Sequence, residues 1–154
     1  MSTPEYLPLS AAQRSVWYAQ QLSPEVPICI AQYIEISGPL DPGLFDELAR
    51  IAADEIPGLH IRLVEREGIP YQIVREGVEA AIPTVDLSAE PDPKAAAEAW
   101  MRADMAAPMD LLGDRLYTLV LLRLAADRHL WYLRAHHICV DGYGGALIAG
   151  RTAE

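Results

Sequence analysis

An α+β domain, with a mixed and mostly antiparallel sheet and helices packed on it, is what this sequence predicts, on three observations. Short runs with strand character recur at residues 28–36, 59–65, 69–74 and 82–87. Three other stretches repeat their apolar residues at helical spacing, each opened by a capping signal. Two further runs, 115–125 and 129–137, are the most apolar of the chain, and the short turn between them lets them pair antiparallel in the centre of the sheet.

The first helix follows from Ser10-Ala11-Ala12-Gln13, which has the form of a capping box. Running to about Leu22, it should bury Ala12, Val16, Ala19 and one side of Trp17, and Pro24 and Pro27 stop it. Ile28 to Ile36 alternates as a strand, with Ile28, Ile30, Ile34 and Ile36 on one side, and Gly38-Pro39 ends it. Asp41-Pro42 then supplies a cap with proline at the first helical position, and Leu44, Phe45, Leu48, Ile51 and Ala52 form the apolar stripe of a helix ending before Pro57. Leu59, Ile61 and Leu63 alternate as far as Glu65, and after Glu67-Gly68 the run from Ile69 to Val74 completes a hairpin with one wet face. Ile82 to Leu87 is a short extended segment. Asp92-Pro93 repeats the capping signal, and Ala96, Ala97, Trp100, Met101 and Met105 give a third helix its apolar face. Met109 to Leu112 is a loop. Beyond the last strand, Gly142 to Gly150 begins a helix that meets the chain end with no stop signal, so the chain looks cut short within an element.

At 154 residues the chain is long enough for one domain with a real core. A hydrophobic share of 51% makes it globular. Twelve basic against 22 acidic residues leave a net charge of −10, which argues against nucleic acid and anionic membrane as partners. Cys29 and Cys139, the only cysteines, are far apart and suit small buried thiols in a reducing compartment. The N-terminus has neither a basic segment nor an apolar one, so neither secretion nor a membrane span is indicated and a cytoplasmic location is expected.

The chemistry is concentrated in Ala135-His136-His137-Ile138-Cys139-Val140-Asp141-Gly142. Successive strand side chains point to opposite faces, so His136 and His137 cannot both serve one site. His129, Trp131, Leu133, Ala135 and His137 share one face, and Leu130, Tyr132, Arg134 and His136 the other. An imidazole at a strand end is a candidate general base, because its pKa lies near neutral. Asp141 could orient it or hold the turn through a charge pair. Equally, the spacing fits a core histidine with local hydrogen bonds and an Asp141 that starts a helix. Adjacent strand histidines diverge, which disfavours a metal site.

His136-His137-Ile138-Cys139-Val140-Asp141-Gly142 resembles the His-His-x-x-x-Asp-Gly core motif of nonribosomal peptide synthetase condensation domains. Leu9 to Trp17 is similar to the family's first motif, and Met109-Asp110-Leu111 through Leu124 to the Asp-Leu and leucine-rich run before the histidines. Three motifs in order cover the whole chain, while the chain corresponds to the first part of such a domain. The resemblance implies a chloramphenicol-acetyltransferase-like fold, with residues 1–154 as a truncated N-terminal lobe and the C-terminal lobe absent. One segment departs from the family: its second motif, Arg-His-Glu-x-Leu-Arg, stands here as Glu55-Ile56-Pro57-Gly58-Leu59-His60. Both arginines are lost, so the cation expected to pair with Asp141 must be another, and Arg62 and Arg134 are the nearest candidates by sequence. The start of the chain also resembles the condensation domains that open the elongation enzymes of aryl-capped siderophores.

The resemblance implies an amide-forming acyltransferase. An aminoacyl acceptor attacks an acyl or peptidyl thioester donor, both carried on phosphopantetheine arms of upstream and downstream carrier proteins, and no cofactor is bound directly. It assigns the base to His137, leaves His136 structural, has Asp141 hold the fold of the motif, and gives Gly142 the close backbone approach that admits an oxyanion-stabilising amide. On this reading the fragment alone is inactive, and apolar surface exposed by the missing lobe invites self-association. A coenzyme A-dependent acyltransferase of the same superfamily and a non-catalytic lobe that only docks carrier proteins are the alternatives. Epimerisation domains share the doubled histidine, and heterocyclisation domains, with aspartates in place of both histidines, are disfavoured.

Overall fold

In chain order the elements are β1 (Leu7–Pro8), α1 (Ala11–Leu22), β2 (Cys29–Ser37), α2 (Pro42–Asp54), a 3-10 helix (Pro57–His60), β3 (Ile61–Arg66), β4 (Ile69–Val74), β5 (Thr84–Asp86), α3 (Pro93–Ala106), β6 (Tyr117–Ala125) and β7 (Arg128–His136). The structure, a computed structural model, describes residues 5–77, 82–113, 115–141, 144, 146, 147 and 150.

A four-stranded sheet of order β2-β7-β6-β5 forms the centre, antiparallel except for β5, which runs parallel to β6. As the apolar runs predict, β6 and β7 are its inner strands, because only strands covered on both faces can be apolar throughout. The alternation along β7 divides two cores. Trp131, Leu133 and Ala135, with Leu119 and Leu121 of β6, pack against Phe45, Ala49 and Ala53 of α2. On the other face Leu130, Tyr132, Val120, Leu122 and Leu124 pack against Ala97 and Met101 of α3. An edge-to-face ring pair anchors each helix, Phe45 on Trp131 at 6.0 Å and Trp100 on Tyr132 at 5.6 Å.

A single sheet is not what forms. The β3–β4 hairpin, turned through Glu67 and Gly68 at positive φ, joins β1 in a separate three-stranded sheet. Its inward residue Leu63 belongs to a third cluster, with Leu9, Trp17, Leu111, Leu116 and Ile138. That cluster seats α1 and the hairpin beside the end of β7. Leu59 is in the 3-10 helix and not in β3, since Pro57 opens a helical turn there.

Two helices bury a narrower stripe than their sequences predict. Helix α1 has its capping box, yet Ala12 and Ala19 are exposed, and Trp17 and Gln20 are the residues it buries. Helix α2 turns its small residues Ala49, Ala52 and Ala53 to the sheet around Phe45, and leaves Leu44, Leu48 and Ile51 about half exposed. The alanines let the helix axis approach the sheet closely, and Phe45 against Trp131 fixes its rotation.

Leu121→Ala, at a site 1% exposed, should cost about 3 kcal/mol in urea unfolding. Leu48→Ala, at a site 51% exposed, should cost less than about 0.5 kcal/mol. Equal losses would mean that the stripe faces the core as its spacing suggests.

Candidate functional site

Strand β7 ends at His136, and the chain turns through His137, Ile138 and Cys139 before Val140 and Asp141. The two histidines meet opposite fates. His136 is fully buried and His137 is exposed. The His137 amide still donates to the Ile28 carbonyl at 2.8 Å, so its backbone remains tied to the β2 side while its side chain leaves the sheet.

Both ring nitrogens of His136 are committed. Nδ1 accepts from the Ile138 amide at 3.2 Å, so in the neutral ring the proton is on Nε2, which donates to Gln20 Oε1 at 3.0 Å. Burial, helped by His137 and Arg134 nearby, pushes the His136 pKa down to about 4. His136 is therefore the core histidine with local hydrogen bonds that the spacing allows. Gln20, which the sequence reading passes over, has a signal of its own: it lies three residues after Trp17 on the buried side of an amphipathic helix, where an apolar residue is the usual occupant.

His137 lines a groove of about 320 Å³ between α1 and the turn, with Ala12, Gln13, Val16, Ile56, Ile138, Val140 and Asp141 among its walls. Gln13 holds the far side of the turn, donating from Nε2 to the Ile138 carbonyl at 3.3 Å. It forms a reciprocal amide pair with Gln72 of β4, and so connects the small sheet to the turn. Asp141 accepts from the Gly144 amide at 2.8 Å, the bond of a residue that starts a helix. Gly144, Ala146, Leu147 and Gly150 are helical, in line with the helix expected there. Gly142, the remaining motif residue, lies outside the described residues.

Arg134 does not reach Asp141. It lies on the α3 face, 2% exposed, where it donates to the Ala107 carbonyl at 2.5 Å and approaches Asp104 Oδ2 at 3.6 Å. Strand alternation alone sends it there, two residues before His136 and on the same face. The altered segment Glu55–His60 nevertheless backs the turn. Gly58 meets the Cys139 carbonyl so closely that a Cβ at 58 would overlap the oxygen. The His60 ring lies between two carbonyls, with Nε2 2.8 Å from that of Asp54 and Nδ1 3.3 Å from that of Arg75, and in its neutral form it donates to one of them. The Cys139 thiol, directed at the His136 carbonyl at 3.1 Å, is pushed up to about 12 chiefly by burial, so it is neutral and unreactive. Among the described residues no three His, Cys, Asp or Glu side chains are placed to hold a metal ion, and no helix is long and apolar enough to cross a membrane.

Two outcomes follow for the turn. The folded His136 resists protonation down to about pH 4 whereas the unfolded residue takes a proton near pH 6.5, so stability is full above that value and falls as pH drops between the two, by about 3 kcal/mol. Urea midpoints across that range should show the slope, and His136→Gln should make it shallower. Gly58→Ala should cost about 1–3 kcal/mol through its clash with backbone that cannot rotate away. A neutral Gly58→Ala would show that the two segments do not press together.

Comparison with known proteins agrees with this geometry. The condensation-domain family model matches residues 4–151. A dimodular nonribosomal peptide synthase of Bacillus subtilis is 42% identical over 147 residues, 95% of this chain and 6% of that protein. Enterobactin synthase component F of Escherichia coli is 34% identical over 156 residues, covering 97% of this chain and 12% of that protein. Among solved structures, a variant of the starter condensation domain of rhizomide synthetase RzmA in complex with C8-CoA superposes with a TM-score of 0.88 at 43% identity, covering 96% of this chain and 34% of that one. The chain thus spans about a third of a solved condensation-domain structure, and on the match of its motifs, its two-faced sheet and nearly its whole length it belongs to the condensation-domain family.

Proposed function

We propose that this chain is the N-terminal lobe of a nonribosomal peptide synthetase condensation domain. In that domain His137 serves the attack of a carrier-bound aminoacyl amine on a carrier-bound acyl or peptidyl thioester. The observation that carries the reading is the division of labour between the histidines: His136 has both nitrogens occupied in the core, and His137 is the imidazole of the groove.

The chemistry asks little of the protein. A thioester is already activated, so bringing two tethered substrates together supplies much of the rate through effective molarity. A free α-amine has a pKa of about 7.7–8.0 and is largely protonated at neutral pH. An imidazole beside it holds the neutral amine and takes the proton released as the C–N bond forms and the C–S bond breaks. His137 supplies that imidazole, Asp141 holds the turn by capping the segment after it, and the Gly142 amide is assigned to the developing oxyanion. The partners are upstream and downstream carrier proteins, whose phosphopantetheine arms present the substrates, and the rest of the domain supplies the opposite wall of the groove. The location is the cytoplasm, where synthetases are charged.

The RzmA starter domain holds C8-CoA, which supports a second reading in which the donor is an acyl group on coenzyme A. In the intact synthetase, His137→Ala should lower amide formation by about 10²–10⁴-fold while leaving adenylation of the acceptor amino acid unchanged. Running the assay with the acyl donor on its carrier protein and on coenzyme A separates the two readings by which donor is turned over. Retention of coupling by a folded His137→Ala protein would remove His137 from the reaction.

A further inference from the structure

We propose that Gln20 is a positioning residue for this reaction: it fixes the tautomer of His136 and the backbone of Ile28, and through both sets where the turn carries His137. The proposal rests on the reading of His137 given above.

Gln20 is 5% exposed, and each of its four hydrogen-bonding positions is filled. Oε1 accepts from the Ile28 amide at 2.9 Å and from His136 Nε2 at 3.0 Å. Nε2 donates to the carbonyls of Ser23 at 2.8 Å and Val26 at 3.1 Å. The partners themselves fix which end is which: an amide N–H can face only the oxygen, and two carbonyls can face only the NH2 group. With its orientation settled, Gln20 reaches the turn by two routes. One runs through the His136 ring, whose Nδ1 lone pair holds the Ile138 amide. The other runs through Ile28, whose carbonyl accepts the His137 amide at 2.8 Å. His137 is therefore gripped at its own amide and at that of the next residue, both by groups that Gln20 orients.

The first route works for one tautomer only. An imidazole with its proton on Nδ1, or on both nitrogens, offers the Ile138 amide a donor in place of a lone pair, and the turn loses that bond. Gln20 presents an oxygen to Nε2 and so selects the proton position that the turn requires. Gln13, seven residues earlier on the same face of α1 and about 10 Å along its axis, takes the Ile138 carbonyl, so one helix holds both ends of the turn. An apolar side chain at 20 would fill the space and leave the Ile28 amide, the His136 proton and two carbonyls without their partner, the kind of loss that shifts a site by tenths of an ångström.

The intact condensation domain labelled with 15N-histidine tests the first step directly. At neutral pH the His136 spectrum should be that of a ring with its proton on Nε2, and a proton on Nδ1 would overturn the proposal. In Gln20→Met, whose side chain is of similar size and apolar, that single tautomer should give way to a mixture. Coupling should lose at least about tenfold in kcat with KM for the acceptor carrier protein changed by less than about twofold. A folded Gln20→Met protein with unchanged tautomer and unchanged kcat sinks the proposal. Should the methionine variant fail to fold, Gln20→Glu keeps both acceptances and loses both donations. His136 should then take a second proton at neutral pH and kcat should fall, and an unchanged His136 spectrum overturns the idea. His137→Ala measured alongside separates the two levels. If it retains coupling, the role of His137 fails while the His136 spectra still decide what Gln20 does.

Discussion

The commitment of both nitrogens of His136 is the constraint on which the rest of the site depends. A fully buried imidazole with one nitrogen bonded across to α1 and the other to the peptide two residues ahead cannot rotate. Its main chain is pinned as well, since its amide donates to the Leu116 carbonyl at 2.8 Å and its own carbonyl accepts from Cys139 and Val140. The chain therefore leaves the sheet at one fixed point and in one direction. His137 is the first residue past that point, and its exposure follows from its place: one residue earlier it would be packed between strand and helix. Burial of that ring, with His137 and Arg134 nearby, lowers its pKa, and the neutral ring keeps the Nδ1 lone pair that holds Ile138.

Much of this was legible in the sequence. The central pair of strands, the division of β7 into two faces, the three capped helices and the exit of the chain at the doubled histidine all follow from period and punctuation, which report local geometry. What was not legible is where packing chooses among equivalent local patterns. Leu44, Leu48 and Ile51 have the same helical spacing as a buried stripe, and only the docking of Phe45 on Trp131 shows that α2 turns its alanines inward. The hairpin reads as part of a single sheet until Leu63 is seen to pack with Trp17 and Leu9, away from the central strands. At the site, a buried glutamine has no motif of its own. Gln20 differs from Gln21 only by the helix phase that buries it.

The departure from the family's second motif changes which forces hold the turn. With Glu55 and His60 where that motif has arginines, the segment still reaches the turn through the backbone: Gly58 lies against the Cys139 carbonyl, and His60 ties the end of α2 to the end of β4. Contact between two backbones in the core is insensitive to salt and depends on shape, whereas an exposed ion pair is screened and contributes little. Arg134, the cation that sequence proximity offered to Asp141, is instead half of a buried pair with Asp104, to which Tyr132 also donates at 2.9 Å. That pairing lies under α3, and neither residue lines the groove. It adds specificity to the packing of α3 and leaves Asp141 to its capping bond.

The base proposed above stands just beyond a strand, and not within it, which reconciles two demands that conflict inside the sheet. A base must meet its substrate, and so must be exposed; a base must also be held, and holding a backbone calls for hydrogen bonds shielded from water. At His137 the two are separated along one residue. Its amide is bonded to Ile28, the residue just before β2, and its imidazole stands in a groove whose near wall is Ala12, Val16, Ile56 and Ile138. That wall is apolar and supplied by elements that are themselves fixed, α1 by its capping box and its two glutamines, and the 56–60 segment by Gly58. Among the described residues the amide and carboxylate side chains of the groove are Gln13, bonded to Ile138 and Gln72, and Asp141, which accepts from Gly144. On the proposed reading it is the ring of His137 that the incoming amine meets, beside a wall whose Gln13 and Asp141 side chains already have partners.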